Sequence, residues 1–154
     1  MSKFMDEAIK EALRGVKNNH GGPFGAVLVR NGKIISKGHN MVLYTMDPTA
    51  HAEMVAIRKA SKKLGRFNLS DCAIYTVSEP CPMCMGAILW ARIRKVFYGC
   101  SMKDARKIGF DDRKFMDIIC HKQCKGNIIK RQVGRSQCLR VFDEWYTYPN
   151  RKMY

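Results

Sequence analysis

The chain has 154 residues, 46% of them hydrophobic, which suits one domain with a real core. No apolar run approaches the roughly 20 residues that span a bilayer. The N-terminus mixes Asp6, Glu7, Lys10, Glu11 and Arg14 with apolar residues instead of building a signal-peptide core, so the expected location is the cytosol.

The pattern alternates helix and strand, which predicts an α/β layered fold. Phe4, Met5, Ala8, Ile9, Ala12, Leu13 and Val16 form one helical stripe, broken by residues 18–23 with Gly21 and Gly22. Residues 24–29 read as a strand and 33–38 as its hairpin partner, joined by Asn31-Gly32. Thr49 is placed to cap a helix over 51–64, which Gly65 ends. A short buried strand follows at 73–77, a helix from Pro82 to about residue 92, and a strand at 96–98. Further helical pieces are expected near 103–108 and 112–120, a strand near 127–133, and a last helix near 138–146. The hairpin implies antiparallel pairing, and strands separated by helices imply parallel pairing, so the sheet should be mixed.

The net charge of +15 is uneven: residues 92–152 hold 16 basic and 6 acidic side chains, net +10. Such a surface attracts polyanions without regard to sequence, which keeps nucleic acid among the candidate partners beside the plainer reading of a solvated basic face. The seven cysteines are an odd number. Cys72, Cys100 and Cys120 sit in apolar runs, where a buried thiol behaves as a small hydrophobe. Without a secretory signal, a close cysteine pair points to a metal before a disulfide.

Two segments supply such a metal site: His51-Ala52-Glu53 at one helix start and Pro80-Cys81-Pro82-Met83-Cys84 at another. Two cysteines on a first helical turn can face one ion. Pro82 suits the first helical position, and the helix dipole favours thiolates there. One imidazole and two thiolates suit zinc, one ion per chain. Three protein ligands leave the fourth tetrahedral position open to water, whose pKa zinc can bring to about 7. Glu53 has no use in a structural zinc site, but in a hydrolytic one it can take a proton from that water and deliver it to a ring nitrogen and a leaving amine.

The pattern H-x-E followed by P-C-x-x-C is the signature of zinc deaminases. With GGPFGAV at 21–27, DPTAHAEMVAIRKA at 47–60, DCAIYT at 71–76, EPCPMCMGAILWAR at 79–92, GFDD at 109–112 and KMY at 152–154, nearly the whole chain resembles the cytidine-deaminase-like superfamily and, within it, bacterial-type guanine deaminases. The resemblance implies a three-layer α/β/α sandwich around a mixed five-stranded sheet, a homodimer, and hydrolysis of guanine to xanthine and ammonia through zinc-bound hydroxide. It makes His51, Cys81 and Cys84 the zinc ligands and Glu53 the proton shuttle, with Asp112 as a second catalytic carboxylate near the amino group. Phe24, Asn40, Ala52 and Trp90 fall on substrate-binding positions. Residues 149–154 form a C-terminal lid ending in Tyr154.

Several readings stay open beside these. Asn40 also suits a turn, Asp112 a helix cap, and Glu79 a structural hydrogen-bonder. Guanosine deaminase and tRNA adenosine deaminase share the zinc elements. A non-catalytic zinc module that binds RNA would explain the basic half but not Glu53. Cys120, His121, Cys124 and Cys138 raise a second metal site, although their spacing fits no usual zinc pattern.

Overall fold

The computed structural model describes residues 2–120, 131–147, 149, 151 and 152. Helix α1 (Lys3–Lys17) starts at Ser2, whose hydroxyl accepts from the Phe4 N–H at 3.4 Å. Its buried line runs through Ala8, Ala12 and Gly15, with Phe4 and Met5 packed alongside. Leu13 and Val16 are 63% and 44% exposed and leave the expected stripe. At about 100° per residue they lie to the flank of a face that small residues centre on the sheet.

Strands β1 (Gly25–Arg30) and β2 (Lys33–His39) form the hairpin expected at Asn31-Gly32, with positive φ at both turn residues (50° and 71°), as a primed turn requires. After a short helix α2 (Val42–Thr45) come α3 (Ala52–Leu64), β3 (Cys72–Ser78), α4 (Pro82–Trp90) and β4 (Lys95–Cys100). The sheet order is β2-β1-β3-β4. β1 pairs antiparallel with both neighbours, and β3 and β4 are parallel. The mixed sheet follows from the connections: the tight turn forces antiparallel pairing, and the α4 crossover permits the parallel pair.

Both faces of β1 are buried, and its residues alternate between two cores. Ala26 and Leu28 join Ala52, Ala56, Ile74 and Ile88 beneath α3 and α4. Val27 and Val29 join Ala8, Phe4 and Met5 beneath α1. That two-residue alternation makes the α/β/α sandwich. A Cβ on Gly38 would stand 2.5 Å from the Ala52 carbonyl oxygen, so glycine at this position lets the first turn of α3 lie against β2.

Helices α5 (Met102–Lys107), α6 (Arg113–Ile119) and α7 (Arg135–Thr147) complete the described elements. Among the described residues, none in these three helices is buried. The described sheet has four strands, not five. The strand expected near 127–133 falls partly on residues 121–130, which lie outside the described residues, and 131–133 carry no regular structure. Two smaller expectations are corrected. Thr49 does not cap α3: its N–H and hydroxyl both donate to Asp47 Oδ1 (2.8 and 2.7 Å) in the preceding turn, and His51 takes the cap position. Cys72 is buried as expected, but Cys100 and Cys120 are exposed because β4 and α6 face outward in this chain. Among the described residues, no helix is long and apolar enough to cross a membrane.

Candidate functional site

The site lies where two helix N-termini meet the C-terminal end of β3. His51 is the N-cap of α3 and Cys81 the N-cap of α4. Both have extended backbone, and neither side chain caps its own helix, so both are free to turn toward each other. Cys84 sits one turn into α4, after Pro82 at the start. The positive ends of both helix dipoles therefore face the thiols.

His51 Nδ1 stands 3.6 Å from Cys81 Sγ and 3.6 Å from Cys84 Sγ. A tetrahedral zinc ion about 2.3 Å from sulfur and about 2.0–2.1 Å from nitrogen puts those donor atoms about 3.6 Å apart. The three residues are the one His/Cys/Asp/Glu group of metal-binding geometry among the described residues, and they fit one zinc. Cys81 and Cys84 share a proton. The hydrogen bond from Cys84 holds the Cys81 thiol far below its ordinary value, down to about 4, and the same bond pushes Cys84 up. A cation between the sulfurs favours the thiolate form of both. His51 is raised, chiefly by its bond to Cys81.

Glu53 follows two residues after the ligand and is 7% exposed. Burial raises its carboxyl above the ordinary value, which favours the protonated form. Asp112 is raised for the same first reason. Both face one small cleft of about 70 Å3, with His51 and Cys81 in the floor and Phe24, Asn40 and Phe110 around it. A wider groove of about 390 Å3 shares His51, Cys81 and Asp112 and opens between Pro48, Met83, Phe115 and Ile119.

Asn40 is 4% exposed and serves both readings: its Oδ1 accepts from the Val42 N–H at 3.2 Å, as in a turn, and the side chain lines the cleft. Gly21 packs so closely on Asn40 that a Cβ there would stand 2.0 Å from Oδ1. Ala52 is fully buried at the start of α3. Asp112 takes the N-cap position of α6 without a side-chain cap bond, which leaves its carboxylate to the cleft. Glu79 makes the hydrogen bond expected of it, its Oε2 accepting from the Met102 N–H at 3.1 Å ahead of α5, and its side chain also lines the cleft.

Trp90 is not in the cleft of its own chain. It ends α4 at 65% exposure, and the rise of the helix carries it roughly 13 Å from the Cys81 end. Tyr154 lies outside the described residues, as do Tyr148, Asn150 and Met153 of the C-terminal segment; 149, 151 and 152 are exposed. Of the four residues of the second metal reading, Cys120 and Cys138 are exposed, and His121 and Cys124 lie outside the described residues.

Phe110 is the residue that sequence reasoning passed over inside GFDD. Its ring meets Phe24 edge-on, centroids 4.8 Å apart at 85°. Gly109, with φ 98°, made the bend before it legible, but nothing local said that Phe24 would be its partner.

Residues 1–100 match the cytidine and deoxycytidylate deaminase zinc-binding region. The guanine deaminase of Bacillus subtilis (strain 168) is 46% identical over 151 residues, 98% of this chain and 97% of that one. The crystal structure of the Bacillus subtilis enzyme superposes with a TM-score of 0.93 at 45% identity, covering 100% of this chain and 99% of that one. A tRNA-specific adenosine deaminase of Streptococcus pyogenes serotype M18 (strain MGAS8232) is 43% identical over 143 residues, 93% of this chain and 87% of that one. With the donor geometry, these matches lead to one conclusion: the chain belongs to the family of zinc-binding cytidine and deoxycytidylate deaminases.

Proposed function

We propose that the protein is a zinc-dependent aminohydrolase that converts guanine to xanthine and ammonia. The observation that carries the chemistry is a buried Glu53 two residues from a three-ligand metal site, both facing one cleft. Support for guanine is the likeness, along the whole chain and the whole fold, to the Bacillus subtilis enzyme.

Bound zinc would supply Lewis acidity and activate water at neutral pH. His51, Cys81 and Cys84 would hold it as three protein ligands. Phe24 and Phe110 enclose the purine plane, and their edge-on contact keeps both rings fixed. The Val42 N–H occupies Asn40 Oδ1, so the amide nitrogen remains as the donor, and guanine offers N7 and O6 as acceptors. Glu53 would carry one proton from the attacking water to the ring nitrogen and then the remaining proton of that oxygen to the amine, which leaves as ammonia as the C–N bond breaks and the carbonyl forms. Asp112 faces the same cleft and carries its own raised carboxyl, which suits it to help protonate the amine. Ala52, buried between ligand and shuttle, sets their spacing.

A homodimer belongs to the same reading. Leu89 and Trp90 on α4 and Phe142 and Tyr146 on α7 are each at least 65% exposed, a kind of apolar surface that a partner covers. Light scattering at twice the chain mass supports it, and a monomer at micromolar concentration removes it. Purified, zinc-loaded protein offered guanine, guanosine, adenine, cytidine and cytosine side by side should release ammonia from guanine alone. The Streptococcus pyogenes relative and the +15 charge favour a second reading, tRNA adenosine deamination. Inosine formed in tRNA, with guanine untouched, establishes that reading in place of the first.

A further inference from the structure

Among the described residues, two histidines lie outside the metal site, and the fold brings them together. His39, the last residue of β2, is 5% exposed. Its Nδ1 lies 3.1 Å from Glu11 Oε2 on α1, and its Nε2 lies 2.9 Å from His20 Nδ1. The His20 ring then meets Tyr44 of α2 at a tilt of 33°, centroids 4.4 Å apart. A row of carboxylate, imidazole, imidazole and phenol thus crosses from α1 to α2.

Its position gives it consequence. His39 directly precedes Asn40, and His20 directly precedes Gly21, the residue packed on the Asn40 amide. The Asn40 N–H donates to the Phe24 carbonyl at 3.0 Å, and the His20 carbonyl accepts from the N–H groups of Leu43 and Tyr44 at 3.0 and 3.2 Å. The contact between the two rings therefore clamps the loop carrying Phe24 to the strand end carrying Asn40.

The contact also counts protons. A nitrogen facing the Glu11 carboxylate carries its hydrogen, so His39 Nδ1 is a donor. Between His39 Nε2 and His20 Nδ1, one must donate and the other accept. The pair keeps its bond with no extra proton or with one, whichever ring holds it. A second extra proton sets two N–H groups face to face and breaks it. The other groups around the pair are Arg14, 3.5 Å from Glu11, and the Glu7–Lys37 ion pair, one helical turn and two strand residues away. The Lys10 and Lys37 ammonium groups hold the Glu7 carboxyl down at about 2, so it stays ionised when the pair loses its bond.

We infer that Glu11, His39 and His20 are positioning residues for purine binding: they hold Phe24 and Asn40 in register and release them when both rings are protonated. The purine part rests on the function proposed above; the proton-gated clamp does not. In zinc-loaded protein, His20→Ala should raise KM for guanine about five-fold at the pH where the wild-type pair keeps its bond, as one lost hydrogen bond does, and meet the wild-type KM toward acid pH, with kcat held within about two-fold. His20→Asn puts an amide at the Nδ1 position, able to donate or accept, and should restore KM. It should also abolish the rise in KM that the wild type shows toward acid pH. A merely structural role does not flatten that limb.

Hydrogen exchange supplies the second readout. The amides of His20 and Asn40 should lose protection toward acid pH in the wild type, remain protected in His20→Asn, and be unprotected throughout in His20→Ala. If the wild type leaves guanine untouched, the substrate reading fails and the exchange pattern still decides the clamp. Identical exchange profiles in all three proteins, or equal acid limbs in the wild type and His20→Asn, overturn it.

Discussion

Residues 25–100 and residues 101–147 follow opposite rules. In the first stretch, β1 is buried on both faces, and the metal ligands and Glu53 sit at helix starts fixed by that core. In the second, three helices bury nothing among the described residues, and large apolar side chains such as Val141 (62%) and Phe142 (67%) stand exposed. The second stretch still reaches the site, because Phe110 and Asp112 close over it, tied down by the Glu79 bond to Met102. On the proposed function, the metal ligands and proton shuttle are thus held by the buried part, and the substrate enclosure is shared with the exposed one. Catalytic machinery tolerates little displacement, whereas a wall that must admit and release a base cannot be locked into the core.

The largest effect expected from this contrast is at the ligands. Cys84→Ala should drop zinc from one per chain toward none and abolish ammonia release, with a marked loss of thermal stability, since metal binding and folding are coupled. Metal analysis with a melting curve checks it; a stable, zinc-loaded, active variant breaks the metal assignment. Glu53→Gln should retain zinc and lose about 10²–10⁴ in kcat, the usual worth of a positioned acid/base group. A variant within a few-fold of the wild-type rate removes Glu53 from the reaction.

In the core, Ile74→Ala should cost about 2–5 kcal/mol in urea unfolding. Phe142→Ala on α7 should cost within about 0.5 kcal/mol in the isolated chain. If Phe142→Ala costs as much as Ile74→Ala, α7 is buried in the assembly in solution, and the contrast between the two stretches belongs to the single chain only.

A smaller effect concerns pH. Burial raises the Glu53 carboxyl above its ordinary 4.5, so the metal-free fold prefers the neutral acid. The stability this contributes is whole below that ordinary value and is lost as pH rises through the raised one. Metal-free Glu53→Gln should therefore match the metal-free wild type near about pH 4 and exceed it near about pH 7, read by denaturant unfolding. Equal curves at both pH values show that Glu53 is solvated in the metal-free protein. Zinc should erase the difference, because its charge favours the ionised carboxylate.

What could be read from the chain was what neighbours in sequence decide. Asn31-Gly32 specified its turn because two adjacent residues had to accept positive φ. His51-Ala52-Glu53 and Pro80-Cys81-Pro82-Met83-Cys84 specified a metal site because a helix start fixes where side chains a turn apart point. Sheet order, the exposure of Cys100, the absence of Trp90 from its own chain's cleft, and the meetings of Phe24 with Phe110 and His20 with His39 were not readable. Each depends on how far one layer sits from another, and that distance is set by packing across the sheet: by Gly38 admitting α3 and by small residues admitting α1. No local spacing encodes it. The sequence alone determined which chemistry was available, and the tertiary structure decided which residues surround it, because ligand geometry is local to a helix turn and a cleft is not.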